Sequence, residues 1–245
     1  MSFYDVWVKW KDNAIRSLRR HGAVGTLKFS LALVRNRLSC HWRHFGNKLF
    51  DRRFAVDTAG TLILPELQYD PRFKYANAYA PTPRSVFHRM LRRLGVDFGR
   101  FLFIDFGCGK GKALLLAAEL HFKQIIGVEL SPKLIRVAEE NLKTYCRGTS
   151  ERDIFQVVCV DAGEYPVPPE PAVYYFANPF QAEVMRKVLE SIRQSHAAMP
   201  REGYIVYLDP VLQDLLDESG FLAPIKKSAL YSIWKVTAAL PPTSG

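Results

Sequence analysis

A chain of 245 residues, with 48% hydrophobic and 24% charged residues, can bury the core of one large domain and is not a disordered polypeptide. No apolar run approaches the ~18 residues needed to cross a bilayer, and Cys40, Cys108, Cys146 and Cys159 form no C-x-x-C pair, which argues against a disulfide framework or a zinc ribbon. The net charge of +10 is concentrated at the front: residues 1–55 hold twelve Lys or Arg against three Asp, and the remainder is close to neutral.

That basic segment has helical spacing. Val6, Trp7, Trp10, Ala14 and Leu18 fall at three- and four-residue steps before Gly22, and Leu27, Leu31, Val34 and Leu38 form a second stripe. The expectation is a basic helical extension over 1–55. It could pack on the domain with a solvated basic face, lie on an anionic membrane, or meet nucleic acid, in that order of preference. A cleaved organellar presequence fits poorly with two early aspartates and several tryptophans. Cys40, His41 and His44 lack a second cluster to complete a metal site. The cysteine pattern suits a reducing compartment, so the expected location is cytoplasmic, with a peripheral membrane contact left open.

From 56 to 100 the reading is a connecting segment, broken by Pro65, Pro71, Pro81 and Pro83, and then a helix from Ser85 to Leu94. Tyr79-Ala-Pro-Thr-Pro83 holds an extended backbone ahead of that helix. Thr82 could there present its hydroxyl to a ligand carboxylate, or the prolines could simply start the helix.

The stretch Phe101–Leu120 organises the rest. An apolar strand, Phe101–Ile104, reaches Asp105 and a loop with Gly107, Gly109 and Gly111, and Ala113–Leu120 reads as a buried helix. Glycines suit a sharp turn and a ligand approaching the backbone closely. Lys112 stands where the dinucleotide fingerprint needs its third glycine, and the phosphate-cradling pattern is also unmet. A strand at Gln124–Val128 ends in Glu129, at the distance from Asp105 where a βαβ unit places an acid to accept hydrogen bonds from ribose hydroxyls. Ser131-Pro132 caps a helix to about Tyr145. A strand over 154–160 ends at Asp161, and a strand over Ala172–Phe176 runs into Asn178-Pro179-Phe180. A helix over 181–195, a strand over 204–208, a short helix over 211–217 and a terminal antiparallel pair, 221–226 with 230–237, complete the chain. Each strand-end acid is also an ordinary turn residue taken alone.

The series Asp105-x-Gly107-x-Gly109-x-Gly111, Glu129, Asp161 and Asn178-Pro179-Phe180 resembles the class I, Rossmann-like methyltransferases that use S-adenosyl-L-methionine (SAM). The resemblance covers roughly residues 75–237. It implies a doubly wound, mostly parallel seven-stranded α/β sheet with the cofactor-binding core at 101–240. It implies that the glycine loop lies under the methionine part of SAM, with Asp105 holding the loop and the amino group, and that Asp161 contacts the adenine amino group. A similar Tyr-x-Pro-Thr-Pro segment lies over the cofactor pocket in some bacterial members, which brings in Tyr79 and Thr82. Asn178-Pro179-Phe180 looks like a shortened form of the Asn/Asp-Pro-Pro-Tyr/Phe motif of enzymes methylating amino or amide nitrogens, with one proline missing. Two carbonyls at that corner could accept N–H bonds from an acceptor nitrogen while an aromatic ring packs against it. The implied function is SAM-dependent methylation of nitrogen, in a protein side chain before a small molecule. An oxygen-methylating small-molecule enzyme and a non-catalytic adaptor binding SAM or a nucleotide stay open. No metal is implied, and His88, His121 and His196 read as surface or structural residues.

Overall fold

The computed structural model describes residues 45–60, 73–147 and 151–237. Strands β1 (Leu102–Phe106), β2 (Gln124–Glu129), β3 (Phe155–Cys159), β4 (Ala172–Phe176) and β5 (Gly203–Leu208) run parallel, while β6 (Leu222–Lys226) and β7 (Tyr231–Val236) pair antiparallel at one edge. The order across the sheet is β3-β2-β1-β4-β5-β7-β6, with β7 antiparallel to both neighbours. This is the doubly wound α/β arrangement expected from the sequence.

The central strands read as unbroken apolar runs because helices cover both faces. Adjacent residues of β4 point to opposite sides: Tyr175 joins Phe87, Met90, Phe103, Leu114 and Leu142 in one core, whereas Tyr174 joins Ile104, Phe106, Met185, Ile192 and Trp234 in the other. Helices α1 (Arg84–Arg92), α2 (Lys112–Ala118) and α3 (Pro132–Tyr145) supply the first layer. Helices α4 (Ala182–Ala198) and α5 (Gln213–Asp217) supply the second. At the start of α3 the Ser131 hydroxyl accepts the Leu134 amide at 3.4 Å and Pro132 occupies the first turn, as its sequence indicates.

Most boundaries fall within a few residues of the sequence reading, and three differences bear on the site. β1 extends to Phe106, so Asp105 belongs to the strand, in register with Gly127 and Tyr175; pairing on both sides carries a charged residue that sequence alone reads as a strand end. α2 stops at Ala118, and the chain turns through His121 at φ +58°. The compact unit of the catalytic-type fold begins at Asn47, so residues 47–55, assigned on sequence to the extension, fold with the core. Residues 45–54 are helical. The expected helices over 4–20 and 27–38 lie outside the described residues.

Candidate functional site

β1 and β4 stay paired to Phe106 and Phe176, and the chain leaves their carboxyl ends toward opposite faces of the sheet, the position where open α/β sheets bind ligands. A cavity lies there. Asp105 from β1, Glu129 from β2, Asp161 following β3, and Pro179 and Phe180 following β4 line it together, with Tyr79, Thr82, Gly107 and Gly109. Two expected site residues, Gly111 and Asn178, stand beside the cavity rather than on its wall. Gly111 caps α2 at φ +81°, where a Cβ would press on Ala138 of α3 at 3.3 Å.

The loop after β1 is drawn against β2 because the amides of Gly107 and Cys108 both donate to the Val128 carbonyl, at 2.8 and 3.0 Å. The amide of Gly109 donates to Glu129 Oε2 at 2.9 Å, and Glu129 Oε1 accepts the Ser131 amide at 2.9 Å. Glu129 thus holds the loop's shape while retaining lone pairs toward the cavity. Gly107 and Gly109 have φ of +86° and +54°. The close approach that excludes a side chain here comes from the protein itself: a Cβ at Gly109 would sit 2.1 Å from the Tyr79 ring, and one at Gly107 would sit 2.4 Å from Pro179 Cβ. The sequence reading attributes these glycines to a sharp turn, which their positive φ shows, and to close approach of a ligand; packing against Tyr79 and Pro179 is the reason it lacks.

Asp105 is 3% exposed, and no hydrogen bond among the described residues reaches its carboxylate. Burial, and then the neighbouring Glu129 charge, push its pKa well above the usual carboxylate range. Burial likewise raises Glu129, against the lowering effect of its backbone donors. A buried acid without a partner is costly, and a cationic group in the cavity would relieve that cost. Asp161 Oδ1 accepts the Gly163 amide at 2.8 Å, forming the cap of a short turn, and leaves its second oxygen for a ligand.

Tyr79 covers the loop as expected, anchored by its hydroxyl donating to the Thr58 carbonyl at 2.7 Å. Burial raises its pKa, helped by Asp51, Asp105 and Asp57, so the phenol stays neutral. Thr82 is buried, and its hydroxyl lies 2.9 Å from that of Tyr175; of this pair one hydroxyl donates to the other, leaving one proton for a ligand oxygen.

At the β4 corner, Asn178 takes φ +50° and stands beside the cavity, next to Asn77 on its wall. Its Oδ1 accepts from the Tyr207 hydroxyl at 3.3 Å and from Asn77 Nδ2 at 3.4 Å, and its main-chain carbonyl accepts from the same Asn77 Nδ2 at 3.0 Å. Asn77 is one of three site features that the sequence reading missed. The second is Lys112, a lysine on the cavity wall at 1% exposure, read in the sequence only as a failed glycine. The third is the brace behind the loop: Lys110 Nζ meets both Asp57 oxygens at 2.9 and 3.0 Å, and Asn141 bonds the Asp57 amide and carbonyl and the Lys110 carbonyl. These partners are far apart in sequence, and no local pattern signals them. None of the described histidines lines the cavity. His88 pairs with Glu119 at 2.6 Å, and His196 lies 2.9 Å from the Tyr174 hydroxyl.

The three carboxylates can accept hydrogen bonds from a cationic amino group at Asp105, from paired hydroxyls at Glu129 and from an amino-substituted ring beside Asp161. The chain is similar to known methyltransferases. Residues 103–198 match the family model of a methyltransferase domain. A protein-lysine N-methyltransferase of Saccharolobus islandicus (strain REY15A) is 36% identical over 66 residues, a stretch covering 26% of this chain and 40% of that protein's length. Among solved structures, an Escherichia coli protein, yhhF, provisionally named a methyltransferase, shares the fold at TM-score 0.53 and 15% identity, over 65% of this chain and 89% of its own. An RNA methyltransferase from Salinibacter ruber, solved with S-adenosyl-L-homocysteine, gives TM-score 0.48 and 20% identity, over 66% and 97% of the two chains.

Proposed function

From the premise that the chain belongs to the class I, SAM-dependent methyltransferases, we propose that it transfers a methyl group to a nitrogen acceptor, a protein side chain such as lysine in preference to a small molecule. The observation that carries this reading is the Asn178 corner, whose main-chain and side-chain oxygens already converge on a single NH2 group, that of Asn77, beside the cavity. An acceptor amine in its place would have its lone pair directed by two hydrogen bonds, with Phe180 on the adjoining wall. The partial match to a protein-lysine N-methyltransferase supports the same acceptor class.

SAM supplies a methyl group already activated on a sulfonium, so the protein's task is alignment and exclusion of water. Asp105 would take the ammonium of the amino-acid end, Glu129 the ribose hydroxyls and Asp161 the adenine amino group. The Gly107–Gly109 loop, fixed by Val128, Tyr79 and Pro179, would support the ligand beside the β4 corner. An amine acceptor must arrive neutral, and withdrawal from water at the corner favours that form. No described histidine is placed to take the proton, so this reading assigns none of them as a general base.

The test incubates the protein with methyl-labelled SAM and cell lysate, then separates protein, nucleic acid and small molecules. Label recovered as methylated lysine, and lost with Asn178→Ala while S-adenosyl-L-homocysteine still binds, is the expected result. Label confined to RNA or to oxygen acceptors overturns the acceptor assignment, and no label in any fraction despite cofactor binding favours an adaptor. The charge of residues 1–55 supports a further proposal, cytoplasmic contact with an anionic membrane surface. Vesicle binding should weaken with salt and vanish without residues 1–46; binding indifferent to that deletion removes the idea.

A further inference from the structure

We propose that Lys112 is the counter-charge for the carboxylate at the amino-acid end of the donor, a reading that rests on SAM being the ligand. The donor's amino-acid end carries an ammonium and a carboxylate side by side. Asp105 answers the ammonium. The carboxylate has to enter a cavity already walled by Asp105, Glu129 and Asp161, and among the described lining residues Lys112 is the one Lys, Arg or His present. Without it, four carboxylates would share a poorly solvated space with one ammonium.

The surroundings of Lys112 suit a group awaiting a partner. It is 1% exposed, and its Nζ has no hydrogen-bond acceptor among the described residues, leaving three donors unused. The amine lies 3.1 Å from the centroid of the Phe50 ring and 3.9 Å from Asp51 Oδ1. Asp51 is itself committed to Thr58 and to the Thr58 and Ala59 amides, so it offers charge at a distance rather than a bond. The side chain forms part of the cavity wall, and its four-carbon stem allows the amine to turn from the Phe50 ring toward a carboxylate. Thr82, paired to Tyr175 on the same cavity, is positioned to add a neutral donor.

The charged groups facing Lys112 are Asp51 from the 45–54 helix, Glu119 just past α2, and Arg84 from α1; Lys110, the other nearby lysine, is neutralised by Asp57. Burial outweighs the two acids and lowers the Lys112 pKa to about 7. An incoming carboxylate therefore draws a proton onto the amine, and affinity for the donor falls as pH rises past that value. The raised Asp105 and Glu129 release protons to solvent on binding a cation, the opposite sign, so the Lys112 contribution is read as a difference between proteins.

The experiment is calorimetry on the full chain with two probes: S-adenosyl-L-homocysteine, which keeps the amino-acid end, and 5′-methylthioadenosine, which lacks it. For Lys112→Met, the first should weaken roughly tenfold to a hundredfold, the range of a charge-assisted hydrogen bond, while the second stays within about twofold. Lys112→Arg should recover part of the loss. In buffers of different ionisation enthalpy, proton uptake accompanying S-adenosyl-L-homocysteine near pH 7.5 should be smaller in Lys112→Met than in the parent. Equal weakening of both probes would make Lys112 a structural prop for Phe50 and Asp51 and overturn the proposal, as would unchanged binding of S-adenosyl-L-homocysteine. If the parent protein binds neither probe, the donor assignment itself has failed.

Discussion

Asp105 holds its carboxyl in a strand, without a hydrogen-bond partner among the described residues, next to the half-buried Glu129. Its folded pKa is raised above its unfolded value near ~4, so the folded protein binds the proton more tightly and is most stable, as far as this group decides, at low pH. That stability is lost as pH rises through the raised folded value. Asp105→Asn keeps the shape without the charge. The melting temperature of the ligand-free variant should therefore rise relative to the parent as pH goes from 4 to 8, and S-adenosyl-L-homocysteine should reverse the order by stabilising only the parent strongly; a pH-independent difference would refute the account. Gly109 makes a second residue-scale case. Alanine there must tolerate φ +54° and a Cβ 2.1 Å from the Tyr79 ring, so Tyr79 has to leave its bond to Thr58. Gly109→Ala should cost about 3 kcal/mol in chemical denaturation, the sum of backbone strain and overpacking. A loss below about 1 kcal/mol would show that Tyr79 moves freely.

The element that covers the proposed acceptor corner is the segment crossing it. The Asn77 amide donates to the Pro179 carbonyl at 2.9 Å, the Gln181 amide donates to the Tyr75 carbonyl at 2.8 Å, and Ala76 bridges Phe180, so residues 75–77 run antiparallel to 179–181. The main chain fixes this strap, and the Asn77 side chain then occupies the two Asn178 oxygens proposed to receive the acceptor. Asn77→Ala leaves the strap's main-chain bonds in place and removes the competitor. Methyl transfer at low acceptor concentration should rise about fivefold, the worth of a net hydrogen bond near 1 kcal/mol, with S-adenosyl-L-homocysteine affinity unchanged; a fall in transfer would make Asn77 part of the working corner instead. The elements beneath the strap were legible in the sequence. β4 and α3 have the bounds expected, because a strand buried on both faces is a continuous apolar run and Ser131-Pro132 announces a helix start. The acids at 105 and 129 follow apolar runs of that kind in the sequence, although β1 continues through Asp105 to Phe106, and Asp161 follows the half-exposed edge strand β3. The strap's contact with Asn178 joins residues 101 apart and the Lys110–Asp57 pair spans 53, and neither leaves a periodic trace. Asn178 itself was read correctly as a strand-end residue, but its positive φ, which aims the carboxamide at Tyr207, is set by tertiary contacts.

Across the whole molecule the sheet separates function from stability. The cavity opens at the carboxyl ends of the strands, while the opposite end is tied down by Arg201, which donates to the Glu170, Pro168, Ser195 and Met199 carbonyls and so clamps the loop entering β4 to the end of α4. His196 sits in that clamp, 6% exposed, with Nε2 2.9 Å from the Tyr174 hydroxyl and its ring where a Cβ on Gly203 would need to go. Burial, and then the Arg201 charge, lower its pKa to about 4. The unfolded chain binds this proton near pH 6.5 and the folded one does not, so the stability contributed by neutral His196 is complete above 6.5 and is lost as pH falls toward 4. His196→Gln, neutral at every pH, should therefore flatten the acid limb of the melting profile between 6.5 and 4, with a lower plateau at pH 8 if the amide packs less well. Its affinity for S-adenosyl-L-homocysteine at pH 7.5 should match the parent's, since the substitution lies at the far end of the sheet. Because Asp105 and Glu129 bias the ligand-free protein toward low pH while His196 biases it toward neutral pH, the effects oppose each other between pH 4 and 6.5: Asp105→Asn alone should steepen the acid limb, and adding His196→Gln should flatten it again. An acid limb as steep in the double variant as in Asp105→Asn alone would place the acid sensitivity elsewhere than His196.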